Sequence, residues 1–300
     1  MKSILYVLIL AVMLSCQPQE NTGTPQIITT TGMIGDAVIN IVGDSLSVQA
    51  LMGPGVDPHL YKATQGDLQK LTNAEMVFYN GLHLEGKMGE ILKKLGSSKI
   101  VREVSEEIPE TRLIKSADYN GAFDPHIWFD VQLWKIAVKT ISGTLIEKYP
   151  SLKGHFSTNT NNYLRQLDEL DKWVKEQVAA VPDSQRVLIT AHDAFGYFGK
   201  AYDIKVKGLQ GISTLSEFGL RDITELVTFI ARNRTKAVFV ETSVSEKAIN
   251  AVIEGCRERG VEVALGGSLY SDAMGAEGTD EGTYIGMVRH NVNTIVNALK

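Results

Sequence analysis

The chain has 300 residues, with 30 Lys and Arg against 35 Asp and Glu and a formal net charge of −5 at pH 7. That mild acidity, with no basic stripe along the chain, excludes a surface built to neutralise nucleic-acid phosphates. The two cysteines, Cys16 and Cys256, exclude a thiolate-rich zinc site, so any metal here is held by nitrogen and oxygen.

In chain order, residues 1–16 read as an export signal. Lys2 supplies the positive end, Ile4 to Leu14 is an apolar run too short to span a bilayer comfortably, and Ser15-Cys16 closes it. A small residue before a cysteine at this place resembles a bacterial lipoprotein cleavage site, with Cys16 as the lipidated first residue and Met13 where leucine is usual. An ordinary cleaved signal is the alternative. Residues 17–25 form a polar tether. No second long apolar stretch follows, so the mature part is expected to be soluble. Its single thiol, Cys256, allows no internal disulfide, and roughly 275 residues suffice for two domains.

Strands then alternate with helices. Gln26 to Thr31 reads as a strand, Met33 to Val42 as a helix, Ser45 to Leu51 as a strand and Thr64 to Thr72 as a helix. Met76 to Tyr79 is an apolar strand, Glu85 to Leu95 a helix, Lys99 to Val104 a strand and Val131 to Tyr149 a helix. The pattern restarts with a strand at Val187 to Thr190, a helix at Ala194 to Tyr202 and a strand at Ile204 to Lys207. A helix at Asp222 to Arg232, a strand at Ala237 to Val240, a helix at Glu246 to Arg259, a strand at Val261 to Leu265 and a helix at Tyr284 to Leu299 complete it. Such alternation predicts an α/β protein with parallel sheets covered on both faces. Between the blocks, Tyr163, Leu164, Leu167, Leu170, Val174 and Val178 mark one face of a helix over Ser157 to Ala180, ended by Pro182. At ~1.5 Å per residue it is ~36 Å long, enough to run down the back of two lobes. The expected organisation is a first lobe over residues 26–150, a linking helix over 151–183 and a second lobe over 184–300.

Three histidines stand at element boundaries: His59 in Asp57-Pro58-His59, His126 in Asp124-Pro125-His126 and His192 in Ala191-His192-Asp193. Asp-Pro-X is an ordinary helix start, with Asp as N-cap and Pro at the first helical position. Nothing in capping calls for a histidine, and a helix N-terminus favours the neutral imidazole that binds metal. His192 follows an apolar strand, where open parallel sheets place their ligands. Asp193 beside it is read as a cap for the next helix, or as a group orienting an imidazole. A fourth donor would be an oxygen, from Asp272 beyond the last strand or Glu241 at the end of an earlier one. Glu277, Asp280 and Glu281 read as a solvated loop, and His83, His155 and His290 as surface or packing residues.

At these residues the chain resembles the metal-binding receptors of bacterial ABC transporters, the cluster that takes up zinc and manganese. The similar pieces are Gly53-Pro54-Gly55-Val56-Asp57-Pro58-His59, Asn80-Gly81-Leu82-His83-Leu84-Glu85, Asp124-Pro125-His126-Ile127-Trp128, Thr190-Ala191-His192-Asp193-Ala194-Phe195, Gly211-Ile212-Ser213, Phe239-Val240-Glu241 and Leu269-Tyr270-Ser271-Asp272. They span nearly all of the mature chain in consistent order. The resemblance implies two Rossmann-like lobes joined by one long backbone helix, with a metal site in the cleft between them. It implies His59, His126, His192 and Asp272 as ligands of one Zn2+ or Mn2+ ion carried as cargo, and Glu241 close by. It further implies a lipid-anchored monomer, exported to the periplasm or the outer face of the cytoplasmic membrane. Its partners would be a membrane permease and its ATPase, and it would not be an enzyme. A side role in cell adhesion has been attached to such proteins. Two departures bear on the metal: Ile108 to Phe123 lacks the histidine-rich loop of many zinc receptors, and His192 stands where many manganese receptors have glutamate. Three nitrogens and one carboxylate tilt the expectation toward zinc. The rival is a secreted zinc hydrolase with Glu241 as base, against which the chain has no His-Glu-x-x-His and no close histidine pair.

Overall fold

The computed structural model describes residues 26–116 and 121–300; the export signal, Cys16 and the tether lie outside the described residues. The first lobe runs β1 (Ile27–Thr29), α1 (Gly32–Val42), β2 (Val48–Ala50), α2 (Gln65–Asn73), β3 (Met76–Tyr79), α3 (Gly89–Gly96) and β4 (Ile100–Glu103). Its four strands are parallel in the order β2-β1-β3-β4. After α4 (Val131–Lys148) and α5 (Lys153–Ala179) comes the second lobe. It consists of β5 (Val187–His192), α6 (Gly196–Tyr202), β6 (Lys205–Gln210), α7 (Leu220–Asn233), β7 (Ala237–Glu241), α8 (Lys247–Glu258), β8 (Ala264–Leu269) and α9 (Tyr284–Leu299). Here β5 and β6 form one parallel pair, β7 and β8 another, and β5 lies beside β7. Among the described residues no helix is long and apolar enough to cross a membrane.

Burial on both faces explains why the strands read as unbroken apolar runs. Side chains alternate across a strand, so Ile27, Met76, Phe78, Leu188, Ala237 and Phe239 face one core. Their neighbours Ile28 and Val77, and Ile189, Val238 and Val240, face the outer clusters of their own lobes. The central core is continuous from one lobe to the other and includes Tyr163, Leu167, Leu170, Val174 and Val178 of α5.

Helix α5 begins earlier than the hydrophobic stripe suggests and spans 27 residues, ~40 Å at ~1.5 Å per residue. It is tied to both lobes. Tyr163 donates to Asp36 Oδ2 of α1 at 2.9 Å, and Asn159 to the Ile41 carbonyl at 3.0 Å. Toward the second lobe, Asp171 of α5 accepts from Tyr202 of α6 at 3.0 Å, and it also accepts from Gln132 at 2.9 Å.

Several boundaries differ from the expected ones, each for a local reason. β8 lies at Ala264–Leu269, not Val261 to Leu265, so Gly266 and Gly267 sit inside the strand. A Cβ on Gly266 would meet the Phe239 ring at 2.5 Å, and the register shifts at Val238/Phe239. The segment Gly43–Ser45 is a 3-10 turn, which shortens β2. Helix α3 starts at Gly89, not Glu85, because the Glu85 carboxylate turns inward and accepts from the Asn80 amide at 2.7 Å and the Thr30 hydroxyl at 2.6 Å.

Candidate metal centre

His59 and His126 come from loops of the first lobe, His192 is the last residue of β5, and Asp272 lies three residues past the end of β8. The Asp-Pro-His triplets are not the helix starts they resemble. His59 sits in a turn with no helix until Gln65, and that helix is capped by Thr64. His126 precedes a 3-10 turn, Ile127–Phe129, and α4 is capped by Asp130. In both triplets the aspartate instead accepts from the histidine's own amide: Asp57 Oδ1 from His59 at 2.8 Å, Asp124 Oδ1 from His126 at 2.9 Å. These Asx turns rival the capping role with the same residues. Asp193 likewise does not cap: α6 begins at Gly196 with no side-chain cap bond.

The four side chains converge, each fully or almost fully buried. His59 Nε2 is 3.3 Å from His126 Nε2 and 3.8 Å from Asp272 Oδ2. His126 Nε2 is 3.3 Å from Asp272 Oδ1, and His192 Nε2 is 3.2 Å from Asp272 Oδ2. A tetrahedral shell with bonds near 2.1 Å has donor–donor edges of about 3.4 Å; the separations here run from 3.2 to 3.8 Å, those to Asp272 being to one or other of its oxygens, and one donor atom from each of the four residues lies within 4.8 Å of the rest. The imidazoles approach edge-on, with centroids 5.3 to 6.0 Å apart. Both Asp272 oxygens and both His192 ring nitrogens are buried without a hydrogen bond of acceptable geometry among the described residues. His192 Nδ1 faces Glu241, whereas His192 Nε2 and the Asp272 oxygens lie together with the other donors as buried, unpaired polar atoms that a cation would satisfy.

Carboxylates hold the far sides of two rings. Asp124 Oδ1 lies 2.7 Å from His126 Nδ1, and Glu241 Oε2 lies 2.5 Å from His192 Nδ1 while Glu241 Oε1 accepts the His192 amide at 2.9 Å. Such contacts fix the tautomer that leaves Nε2 free for metal. Asp124 was read only as a cap, and its second role has one visible signal, a repeated aspartate two residues before histidine. Trp128 ties the halves together by donating to the Ser271 carbonyl at 3.0 Å beside Asp272. Asn80 secures the His126 loop through the Pro125 carbonyl at 2.9 Å.

The electrostatics follow from this packing. Burial works against charge on His126, yet Asp124 and Asp272 raise it to about 9. Burial likewise opposes the His192 imidazolium, and Glu241 and Asp272 outweigh it and push that ring well above the usual histidine range. His59, with no carboxylate on its far side, is lowered by burial to about 3. Burial alone would raise Asp272, but the three imidazoles hold it well below the carboxylate range.

The other candidates stay apart from this cluster. His83 is exposed, His155 lies against Asn159, and His290 faces the Ser268 carbonyl and Glu281. Glu277 and Asp280 are exposed and Glu281 is half-buried in the loop before α9. Glu241 sits in the position of a carboxylate behind His192, not among the four converging donors.

Glu241→Gln tests that role. An amide presents only one acceptor to two N–H groups, so metal affinity is expected to fall by about 10- to 100-fold, read by competition with a chromophoric chelator. An unchanged affinity would show that the ring needs no such support.

Two α/β lobes on one helix, with four donors meeting in the cleft between them, define a protein built to enclose a single metal ion. Residues 27–298 match the family described as ZnuA, zinc-uptake complex component A, periplasmic. The chain is 54% identical over 275 residues to the manganese-binding lipoprotein MntA of Bacillus subtilis, covering 92% of this chain and 90% of that one. It is 49% identical to the zinc-binding protein TroA of Treponema pallidum, whose solved structure superposes with a TM-score of 0.90 over 92% of this chain and 99% of that one. Fe(III)-bound YtgA from Chlamydia trachomatis, 27% identical, superposes with a TM-score of 0.83 over 91% and 97% of the two chains. The chain therefore belongs to the zinc-uptake component A family.

Proposed function

We propose that this protein is an extracytoplasmic receptor that captures one divalent transition metal, Zn2+ or Mn2+, and delivers it to an ABC permease and its ATPase for import. The observation that carries this reading is the set of four buried donors, His59, His126, His192 and Asp272, with one ligand atom from each within 4.8 Å of the others. Relatives named as zinc-binding, manganese-binding and substrate-binding lipoproteins support the class of cargo and the partnership. They also support a lipid anchor, for which Cys16 is the residue proposed, and a place outside the cytoplasmic membrane. Four protein donors close a tetrahedral shell and leave no position for a reactive water, so the protein is read as a carrier and not an enzyme. Three nitrogens with one carboxylate favour zinc over manganese at equal exposure. The working unit is a monomer with lobes over residues 26–150 and 184–300 and the linking helix over 151–183.

The test is elemental analysis of protein purified from its own host, together with growth of a deletion strain. The expected result is about one equivalent of zinc or manganese per chain, and a growth defect in metal-poor medium relieved by adding that metal. Protein free of transition metal, or a strain indifferent to metal supply, would refute the reading.

A further inference from the structure

Four buried donors bind tightly only if a hydrated ion can reach them, and the cluster is not equally closed on all sides. The His59 side chain is 2% exposed, whereas those of His126, His192 and Asp272 are 0%. His59 is also the donor that lines a cavity of about 320 Å³, shared with His83, Lys87 and the apolar Leu82, Phe123 and Leu215. This vestibule draws walls from both lobes and has no carboxylate in its lining among the described residues.

His83 is held on that wall by an unusual backbone. Gly81, Leu82 and His83 are consecutive residues with φ of +82°, +52° and +65°, a region that L side chains seldom adopt. Two carboxylates impose it. Glu85 accepts from the Asn80 amide at 2.7 Å and the Gly81 amide at 3.3 Å, and Glu103 accepts from the Leu82 amide at 3.4 Å. Position 81 favours glycine, because its φ of +82° strains an L side chain and a Cβ there would lie 2.0 Å from Glu103 Cδ and displace that carboxylate. The loop presents an exposed imidazole with no hydrogen bond or ion pair among the described residues. Nothing in the closed four-donor site uses it.

We propose that the vestibule is the route by which metal enters and leaves, and that His83 is a transient ligand on it. This rests on the receptor reading above. A hydrated ion sheds its waters one at a time, and the vestibule offers few groups to replace them. The His83 imidazole displaces one water, holds the partly dehydrated ion beside His59, and gives it up as the four buried donors close around it. Release runs the same steps backwards. Because His83 binds the ion only in passage, it lowers the barrier equally in both directions and leaves the equilibrium untouched. Lys87 acts in the opposite sense, since its ammonium repels an arriving cation.

The experiment compares wild-type protein with His83→Gly and Lys87→Ala. Glycine removes the imidazole without straining a left-handed position. Zn2+ uptake by the stripped protein is followed by stopped-flow fluorescence at low ionic strength, release by transfer to excess chelator, and Kd by equilibrium competition. His83→Gly is expected to slow uptake and release by the same factor, about fivefold or more, with Kd unchanged within about twofold. Lys87→Ala is expected to speed uptake. If both rates of His83→Gly match wild type, or if only one rate and Kd change, the transient-ligand role is overturned. If Lys87→Ala also leaves uptake unchanged, the vestibule is not the route. Failure of the wild-type protein to bind Zn2+ would instead defeat the receptor reading, so the two are distinguishable.

Discussion

His126→Ala is expected to abolish most of the rise in melting temperature that Zn2+ confers on the wild-type protein. An ion bound by the folded form alone stabilises it by RT ln(1 + [L]/Kd), about 4 kcal/mol at a thousandfold excess over Kd. For a chain of this size that is roughly 8 to 16 °C, at about 2 to 4 °C per kcal/mol. His126 donates to two parts of the centre at once, with Nε2 among the four donors and Nδ1 against Asp124. Its loss removes one metal bond and leaves the buried Asp124 carboxylate without its imidazole. The variant's metal-free melting temperature will fall as well, so the quantity to compare is the increment on adding metal. Scanning calorimetry on chelator-stripped protein, with and without Zn2+, measures it. His83→Gly should retain the full increment. A His126→Ala protein that keeps more than half of the gain would remove this residue from the set of ligands.

The second large effect is on protons. A metal-free centre in which Asp124, Asp272 and Glu241 surround three imidazoles holds protons on two of them, His126 and His192, both raised above ordinary histidine. His59, lowered to about 3, stays neutral through the physiological range. An arriving divalent cation needs all three Nε2 lone pairs, so it expels about two protons, and the net charge of the pocket is the same before and after. The folded metal-free protein holds these protons below its raised pKa values and gives them up only on binding metal. Affinity therefore rises with pH, and the rise continues through neutrality up to about 9, where His126 begins to lose its proton unaided. Ordinary histidines near 6.5 would give a curve that flattens above neutral pH. With two protons displaced, the expected slope is about two decades of Kd per pH unit, or about 2.7 kcal/mol. Calorimetric titration in buffers of different ionisation enthalpy counts the protons directly. A count near zero at pH 7 would contradict the pairing of Asp124 and Glu241 with the two rings.

Much of the fold was legible because both faces of each sheet are buried. Runs such as Met76 to Tyr79 and Ala237 to Val240 are apolar at every position, and Tyr284 to Leu299 begins and ends as expected. His59, His126 and His192 stood out because capping and strand ends do not require histidine. What the chain did not disclose depends on contacts between distant segments. The family resemblance places Glu241 near the site, but that its partner is His192 follows from β5 lying beside β7, an order of strands that no local pattern encodes. Trp128 reaches Ser271 across 143 positions. The aspartates of the triplets have one local sequence signal and two possible uses, and the residues downstream decide between them. Only Gly81 hinted at the left-handed run that carries His83, since Leu82 and His83 bear no mark of it.

Each half of the molecule contributes two of the four donors, so the captured ion is itself a rivet across the cleft. Neither half alone offers more than a two-point grip. Prising the halves apart by about the length of one metal–nitrogen bond, 2 Å, would therefore turn a firm hold into two feeble ones. The α5 strut, pinned at Asp36 and at Asp171, resists that motion from behind. A small twist of one half against this strut would loosen the ion's bonds to that half while leaving those to the other intact.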